Sequence, residues 1–592
     1  MGTIREAAPP RTTVETFLAR AESLGERPFL HFHQDGDWRC LSWAEARQRV
    51  QRVAAGLVAD GVRQGDRVVL ISENRYEWIL ADLGIQAAGA VTVPVFPSLL
   101  PATVRAIVED CGAVLGLAGT EELASKLQGA PALRRVATFD PDLRRWFGRE
   151  PSPVELVELA RRAVRLDRDD LATIVYTSGT TGESKGVLLA HRNLVDMASS
   201  DLRAFRIGPE DVLLSALPYA HVLERVSGVF NVVTAGAQLW VSRGLDHLVE
   251  DVAEVRPTVM IGVPRIFEKV HDRVLEQAAA QPRLRRALFA WALRAGRRHS
   301  RAARPGIALR LERAAADRLV LAGIRRRLTG GRLRFFVSGG APLSEEVEEF
   351  FWALGVRILQ GWGMTELTSA ATSNTEVEHR FGTVGRGLPD VELRIAADGE
   401  ILVRGPGVML GYHRRARQTA ATVEDGWLHT GDVGMLDAGG FLRITDRKKD
   451  LIKTAGGKYV APLPIESRLQ EERVIEWALL VGDERPFAAA LIVPDWGALR
   501  TLHGIAGDPD ALVDDPRVRA LVQGCVDALN EDLAGFESVR AFALLPHPFS
   551  EANDELTPTL KPKRRVIVRR YHEVIDGMYE AARAAHTAHQ GA

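Results

Sequence analysis

The chain of 592 residues is long enough for roughly three or four folding units at ~150 residues each. Its 46% hydrophobic and 26% charged residues exclude disorder, and 53 Gly with 29 Pro exclude collagen-like or low-complexity sequence. A formal net charge of -1 gives no overall bias toward nucleic acid, and Cys40, Cys111 and Cys525, with no CxxC pair, exclude a disulfide scaffold or thiolate zinc site.

The cysteine usage suits a reducing cytosol. The N-terminal residues carry no apolar signal core, and 81–100, the most apolar-leaning stretch, is interrupted by Gly, Pro and Asp82. A cytoplasmic protein without a transmembrane helix is expected.

In chain order, short apolar runs recur between polar turns: RVVLIS (67–72), ATIVYTSG (172–179), VLLSALP (212–218), TVMIGVP (258–264) and LRFFVSGG (333–340). Helical patterns such as 44–61 separate them. Apolar runs alternating with helices predict buried parallel strands in a doubly wound α/β body, with ligands at the strand ends. The segment 283–334 holds sixteen Arg against Glu312 and Asp317, with Leu284, Leu288 and Trp291 at helical spacing. Two readings stay open: an insertion packed on the body, or a basic amphipathic surface for an anionic membrane. From about 385, alternating segments with turns at AADGE and DAGG predict antiparallel hairpins. After 447–450 a compact region follows, with a helix over 464–477 and strands at 478–483 and 488–494.

Only nine of the 76 basic residues are Lys, and seven of these fall at 185, 448–458 and 561–563. Where Arg is so strongly preferred, a retained Lys points to a need for a compact, rotatable ammonium. Three motifs coincide with these places or follow strands. Tyr176 to Gly186 is rich in Gly and hydroxyls, with Thr177, Ser178, Gly179, Thr180, Thr181, Gly182 and Lys185 able to cradle phosphate. It is not a Walker A loop, which needs Gly-Lys followed by Ser or Thr. Gln360, Gly361, Trp362, Gly363, Thr365 and Glu366 supply a ring to stack on a base, a hydroxyl for phosphate and a carboxylate for Mg²⁺. Asp432 in WLHTGD suits ribose hydroxyls and Arg447 in DRKKD suits ribose or phosphate, although taken singly these segments read equally as a hairpin turn and a surface ion cluster.

The ordered set TSGTTGESKG, LPYAHVLER (217–225), GVPRIFEKV (262–270), GWGMTE, WLHTGD, ITDRKKDLIKTAGGKYVAP (444–462) and LTPTLKPKRRVI (556–567) resembles the acyl-CoA synthetase branch of the adenylate-forming enzymes. It is similar in particular to bacterial long-chain fatty acid–CoA ligases. The resemblance implies an α/β fold with a large N-terminal domain (1–447) of two mixed or parallel αβ sheets and a small β-barrel-like subdomain (385–447). A small, mobile α+β domain (448–592) would follow. It implies a reaction of fatty acid with ATP and Mg²⁺ to acyl-AMP and pyrophosphate, then with coenzyme A to acyl-CoA and AMP. An acyl carrier protein as acceptor, and an aryl or specialised acid as substrate, are the alternatives.

The resemblance further places His221 near the substrate carboxylate and the loop with Gly339, Gly340, Ala341 and Pro342 between adenine and acyl group. Lys449 would be the hinge, and Gly456 and Gly457 would line the passage for the thiol arm. Setting Thr559 on the family's Thr puts Lys563 on its catalytic Lys without a gap. Pro562 stands where Gly is common, and Lys561 is the second candidate.

Overall fold

The computed structural model describes residues 11–178, 184–302, 304–557 and 561–590. Two sheets form the large body. The seven-stranded one runs Gly411–Tyr412, Ser184–Ala190, Leu171–Ser178, Val91–Val95, Arg67–Ile71, Leu115–Ala118, Arg135–Thr138. Its strands from Leu171–Ser178 to Arg135–Thr138 pair in parallel, whereas Leu171–Ser178 and Ser184–Ala190 form an antiparallel hairpin. Val91–Val95 is buried at every residue, as a strand covered on both faces must be.

The nine-stranded sheet runs Arg386–Gly387, Ala370–Ser373, Ile358–Gly363, Phe335–Ser338, Val259–Gly262, Val212–Ser215, Gln238–Val241, Pro28–Gln34, Asp37–Ser42. It is parallel from Ile358–Gly363 to Pro28–Gln34. One core cluster joins both sheets, containing Val68 and Leu70 from one and Leu213, Leu239 and Phe335 from the other. The helix Tyr76–Ala87 lies in that core. Trp78, Ile79, Leu80 and Ile85 are all fully buried, and so is Asp82. A helix apolar all round has no solvent face to present.

The third layer is antiparallel, as the alternation at 385–447 predicts: Glu392–Ile395, Glu400–Arg404, Trp427–Leu436 and Val423–Glu424 in order, with Leu442–Arg447 paired to Trp427–Leu436. Its apolar face packs on Trp362, Val175 and Val187, so it sits against the phosphate hairpin and the strand carrying the Gly-Trp-Gly motif.

The basic segment forms helices Arg283–Arg301, Ile307–Ala316 and Ala322–Thr329. Arg283–Arg301 docks through Ala292, Ala295 and Gly296, where a Cβ on Gly296 would lie 2.3 Å from the Ala353 carbonyl oxygen. Of the stripe Leu284, Leu288 and Trp291, Trp291 packs against the cluster that includes Phe350 and Phe351, whereas Leu284 and Leu288 are not part of it. Both stay exposed, Leu284 at 81%, on the free end of the helix.

Residues after 450 build a three-stranded sheet, Ile475–Val481, Ala488–Pro494 and Val539–Leu544, with an apolar cluster on each face. Neither cluster contains a residue before Ile452. The helix expected over 464–477 ends at Gln470, because Ile475 and Trp477 pair with Pro494 and Val493 in the sheet. Tertiary pairing here overrides a helical pattern. Among the described residues, no helix is long and apolar enough to cross a membrane.

Candidate active site

The expected site residues are carried by loops at the carboxyl ends of strands from both sheets, and by the antiparallel layer. Thr177 stands opposite Lys185 in the hairpin register; Gly179, Thr180, Thr181 and Gly182 lie outside the described residues. The Lys185 ammonium sits 5.1 Å from the Tyr412 ring centroid. Tyr412 in turn donates its hydroxyl to Glu366 Oε1 at 2.8 Å. The phosphate-loop Lys and the carboxylate of the Thr365–Leu367 turn thus meet through one tyrosine. Tyr412 carried no signal in the sequence, because it comes from a strand remote from both motifs.

Asp432 and Arg447 are cross-strand partners. Asp432 is 3% exposed. Its Oδ1 accepts from Arg447 Nε at 2.7 Å, and its Oδ2 accepts from Trp362 Nε1 at 2.8 Å. The neighbouring carboxylate raises the proton affinity of Arg447. Each Asp432 oxygen retains a second lone pair for a ligand hydroxyl. The Trp362 ring is itself buried against the antiparallel layer.

Gln360 is engaged otherwise than expected. Its amide donates to Glu348 Oε2 at 2.7 Å, Glu348 Oε1 bonds His379 at 2.9 Å, and its carbonyl takes the Asn374 N–H at 2.8 Å. Packing between the strand and the helix Glu345–Leu354 therefore claims this side chain. Gly363 is required by close approach: a Cβ there would fall 1.9 Å from the Ser369 carbonyl oxygen. Gly339 lies beside Leu223, and Gly340 adopts φ +88° at the turn leading to the exposed Ala341 and Pro342.

In the tail the two lysine candidates have different surroundings. Lys563 Nζ pairs with Asp554 at 2.5 Å, and its backbone N–H donates to Glu555. Lys561 instead lies within electrostatic reach of Arg447 and Asp432. Burial first, and then the Arg447 charge, lower its ammonium to about 8 against the opposing pull of Asp432. His221 is lowered to about 4 by burial and then by the Lys561 charge. Thr559, which anchored the gapless reading, lies outside the described residues. Pro562 bridges back to Leu556 between the two lysines, and the helix Arg564–Arg570 starts directly after Lys563, a change of backbone direction that spacing alone does not record.

His221 Nδ1 accepts the Leu223 N–H at 3.1 Å. The neutral ring therefore carries its proton on Nε2, free to donate. Lys449 is exposed in the turn after Arg447. The residue before it is anchored: Lys448 Nζ bonds Asp398 at 2.5 Å and Glu400 at 2.7 Å. Gly456 and Gly457 form an exposed turn, with φ +73° at Gly457. No group of three or more His, Cys, Asp or Glu among the described residues is arranged to hold a metal ion. Glu366 Oε1 takes the Tyr412 hydroxyl, and a single carboxylate of this kind suits an Mg²⁺ whose other ligands would be substrate phosphates and water.

The profile described as AMP-binding enzyme matches residues 17–413, and that described as AMP-binding enzyme C-terminal domain matches 449–583. The chain is 38% identical over 569 residues to Long-chain-fatty-acid–CoA ligase FadD15 of Mycobacterium bovis, covering 92% of this chain and 93% of the relative. Among solved structures it is similar to the anthranilate CoA ligase AuaEII in complex with anthranoyl-AMP, at 20% identity and TM-score 0.72 over 96% of this chain and 98% of that one. It is also similar to the o-succinylbenzoate coenzyme A synthetase of Bacillus subtilis in complex with ATP and magnesium, at 21% identity and TM-score 0.68 over 93% and 98%. At these identities the two structures bear on the fold.

Proposed function

This chain belongs to the AMP-binding, adenylate-forming enzyme family, and on that premise we propose that it is an acid–thiol ligase joining a long-chain fatty acid to coenzyme A. The observation that carries the reading is the approach of three separate stretches of chain: Asp432 bonds Arg447, the charges of both act on Lys561, and the Lys561 charge acts on His221.

In the first half-reaction a carboxylate oxygen of the acid attacks the α-phosphorus of ATP, and pyrophosphate leaves. Two anions must meet, so the cost is electrostatic. Asp432 and Arg447 hold the ribose. The Lys561 ammonium bridges carboxylate and α-phosphate, and His221 donates from Nε2 to the carboxylate. Lys185 and Thr365 hold the outer phosphates. Glu366 would hold Mg²⁺, which would supply neutralisation of phosphate charge when bound. In the second half-reaction the thiol of coenzyme A attacks the acyl carbonyl and AMP departs. We assign the division at 447/448 to this step: rotation about Lys449, with Lys448 anchored to the large domain, withdraws Lys561 and brings Gly456 and Gly457 to the thiol's path.

Palmitate, α-labelled ATP, Mg²⁺ and coenzyme A should give labelled AMP, pyrophosphate and a thioester. Release of ADP or orthophosphate overturns the reading. Adenylate that accumulates with coenzyme A inert, and is discharged by a holo-acyl carrier protein, transfers the assignment to the carrier-loading alternative.

A membrane surface is the source we assign to so apolar a substrate. Leu284 (81% exposed), Ile307 (77%) and Leu311 (66%) stand out among the arginines of 283–334. Such a surface gains from apolar insertion and from roughly 1 kcal/mol per basic residue near anionic lipid. Phosphatidylglycerol vesicles should retain the protein at low salt and release it at high salt. Leu284→Asp with Leu311→Asp should weaken retention by about tenfold or more. Equal retention on phosphatidylcholine removes this assignment.

A further inference from the structure

The segment 217–225, which carries His221, leaves the nine-stranded sheet after Val212–Ser215, yet both of its ends are held by a neighbour from the other sheet. At its start, Asn74 Nδ2 donates to the Leu217 carbonyl at 2.6 Å, and Asn74 Oδ1 accepts the Tyr219 N–H at 3.1 Å. At its far end, Arg225 donates to both Asp82 oxygens, at 2.8 and 2.6 Å, and to Thr173 Oγ1 at 2.7 Å. Asn74 lies in the loop after Arg67–Ile71, and Asp82 lies on the helix that this loop enters. Between the clamps, the His221 N–H donates to the Pro218 carbonyl and the Leu223 N–H to His221 Nδ1. Buried Glu224 accepts from the Ser215 hydroxyl.

The two clamps differ in kind. The Arg225–Asp82 pair is fully buried and holds the helix. Asn74 is half-buried, forms part of the wall of a cleft of about 690 Å³, and satisfies two backbone groups that no regular ladder pairs. One amide thereby fixes the three-residue stretch from which the imidazole is aimed.

We propose that Asn74 is a positioning residue for acyl-adenylate formation, setting the His221 imidazole against the substrate carboxylate by clamping Leu217 and Tyr219. This rests on the functional reading above for the role of His221, but the clamp is testable without it. Small displacements of a positioned group lower rates by ~10²-fold.

Three variants and one exchange measurement test it. Asn74→Ala should lower kcat for pyrophosphate release by about 30–100-fold with the KM for ATP within about twofold. Asn74→Asp keeps the acceptor for Tyr219 and loses the donor to Leu217, and should fall between. In the His221→Ala background, Asn74→Ala should cost less than about twofold more, because the two act through one group. Amide hydrogen exchange of wild type and Asn74→Ala should differ over 217–223 and agree elsewhere. Multiplying losses in the double variant, wild-type turnover by Asn74→Ala, or unchanged exchange over 217–223 overturns the proposal. A wild type that releases no pyrophosphate with any fatty acid removes the functional reading, and the exchange result then decides whether the clamp exists.

Discussion

Replacing Lys561 with alanine is expected to lower acyl-adenylate formation by on the order of 10²–10³-fold, the scale of losing one preorganised charge at a phosphoryl-transfer site. Thioester formation from supplied acyl-AMP should stay within about threefold of wild type, because no phosphorus is attacked in that step. Lys563→Ala should change either step by less than about twofold, since its pairing with the exposed Asp554 belongs to a class worth ~0–1 kcal/mol. Stopped-flow pyrophosphate release and a thioester assay on synthetic acyl-AMP separate the two. The reverse pattern would return the catalytic role to Lys563.

The same lysine sets a pH dependence. Its proton affinity is lowered to about 8, so the ammonium is present at pH 7 and lost above that value. In the free enzyme, kcat/KM for adenylation should fall above about pH 8. Bound triphosphate favours the cation and moves the limb in kcat upward. Lys561→Arg, whatever its absolute rate, should lack the limb, because a guanidinium does not titrate there.

Asp82→Ala should be the most damaging single change to stability, costing about 3–5 kcal/mol. Arg225 is 1% exposed, and without Asp82 its charge is left in the core with the neutral Thr173 hydroxyl as a hydrogen-bond partner. The cost is the uncompensated charge and not the worth of the pair. The double variant Asp82→Leu with Arg225→Met should therefore recover most of the loss. Urea unfolding followed by tryptophan fluorescence reads both, since fully buried Trp78 lies on the same helix. A double variant no more stable than Asp82→Ala would show that the pair contributes through geometry as well.

Much of the architecture is legible in local pattern. Apolar runs such as 67–71 and 259–262 become parallel strands because nothing polar could be buried there on either face. Alternation at 427–436 becomes a half-buried antiparallel strand. Asp432 and Arg447 stood out in the sequence as candidates in two motifs, but their pairing depends on the hairpin register, which sets two residues fifteen apart in direct contact. Trp477 shows the converse: a helical pattern gave way once a strand partner was available at Val493.

The amino-acid order by itself determined the buried parallel strands of an α/β body, the antiparallel layer and the motif segments, because these follow from short-range periodicity and turn chemistry. Only the tertiary structure decided that Lys563 pairs with Asp554 while Lys561 comes under the charges of Arg447 and Asp432, that Tyr412 joins Lys185 to Glu366, that the Gln360 amide bonds Glu348, and that Asn74 holds the His221 segment. Each of these turns on a side chain's direction or on a partner far away in the chain. Such choices are settled by the competition among burial, charge and hydrogen bonding in the folded whole, and local spacing carries no record of them.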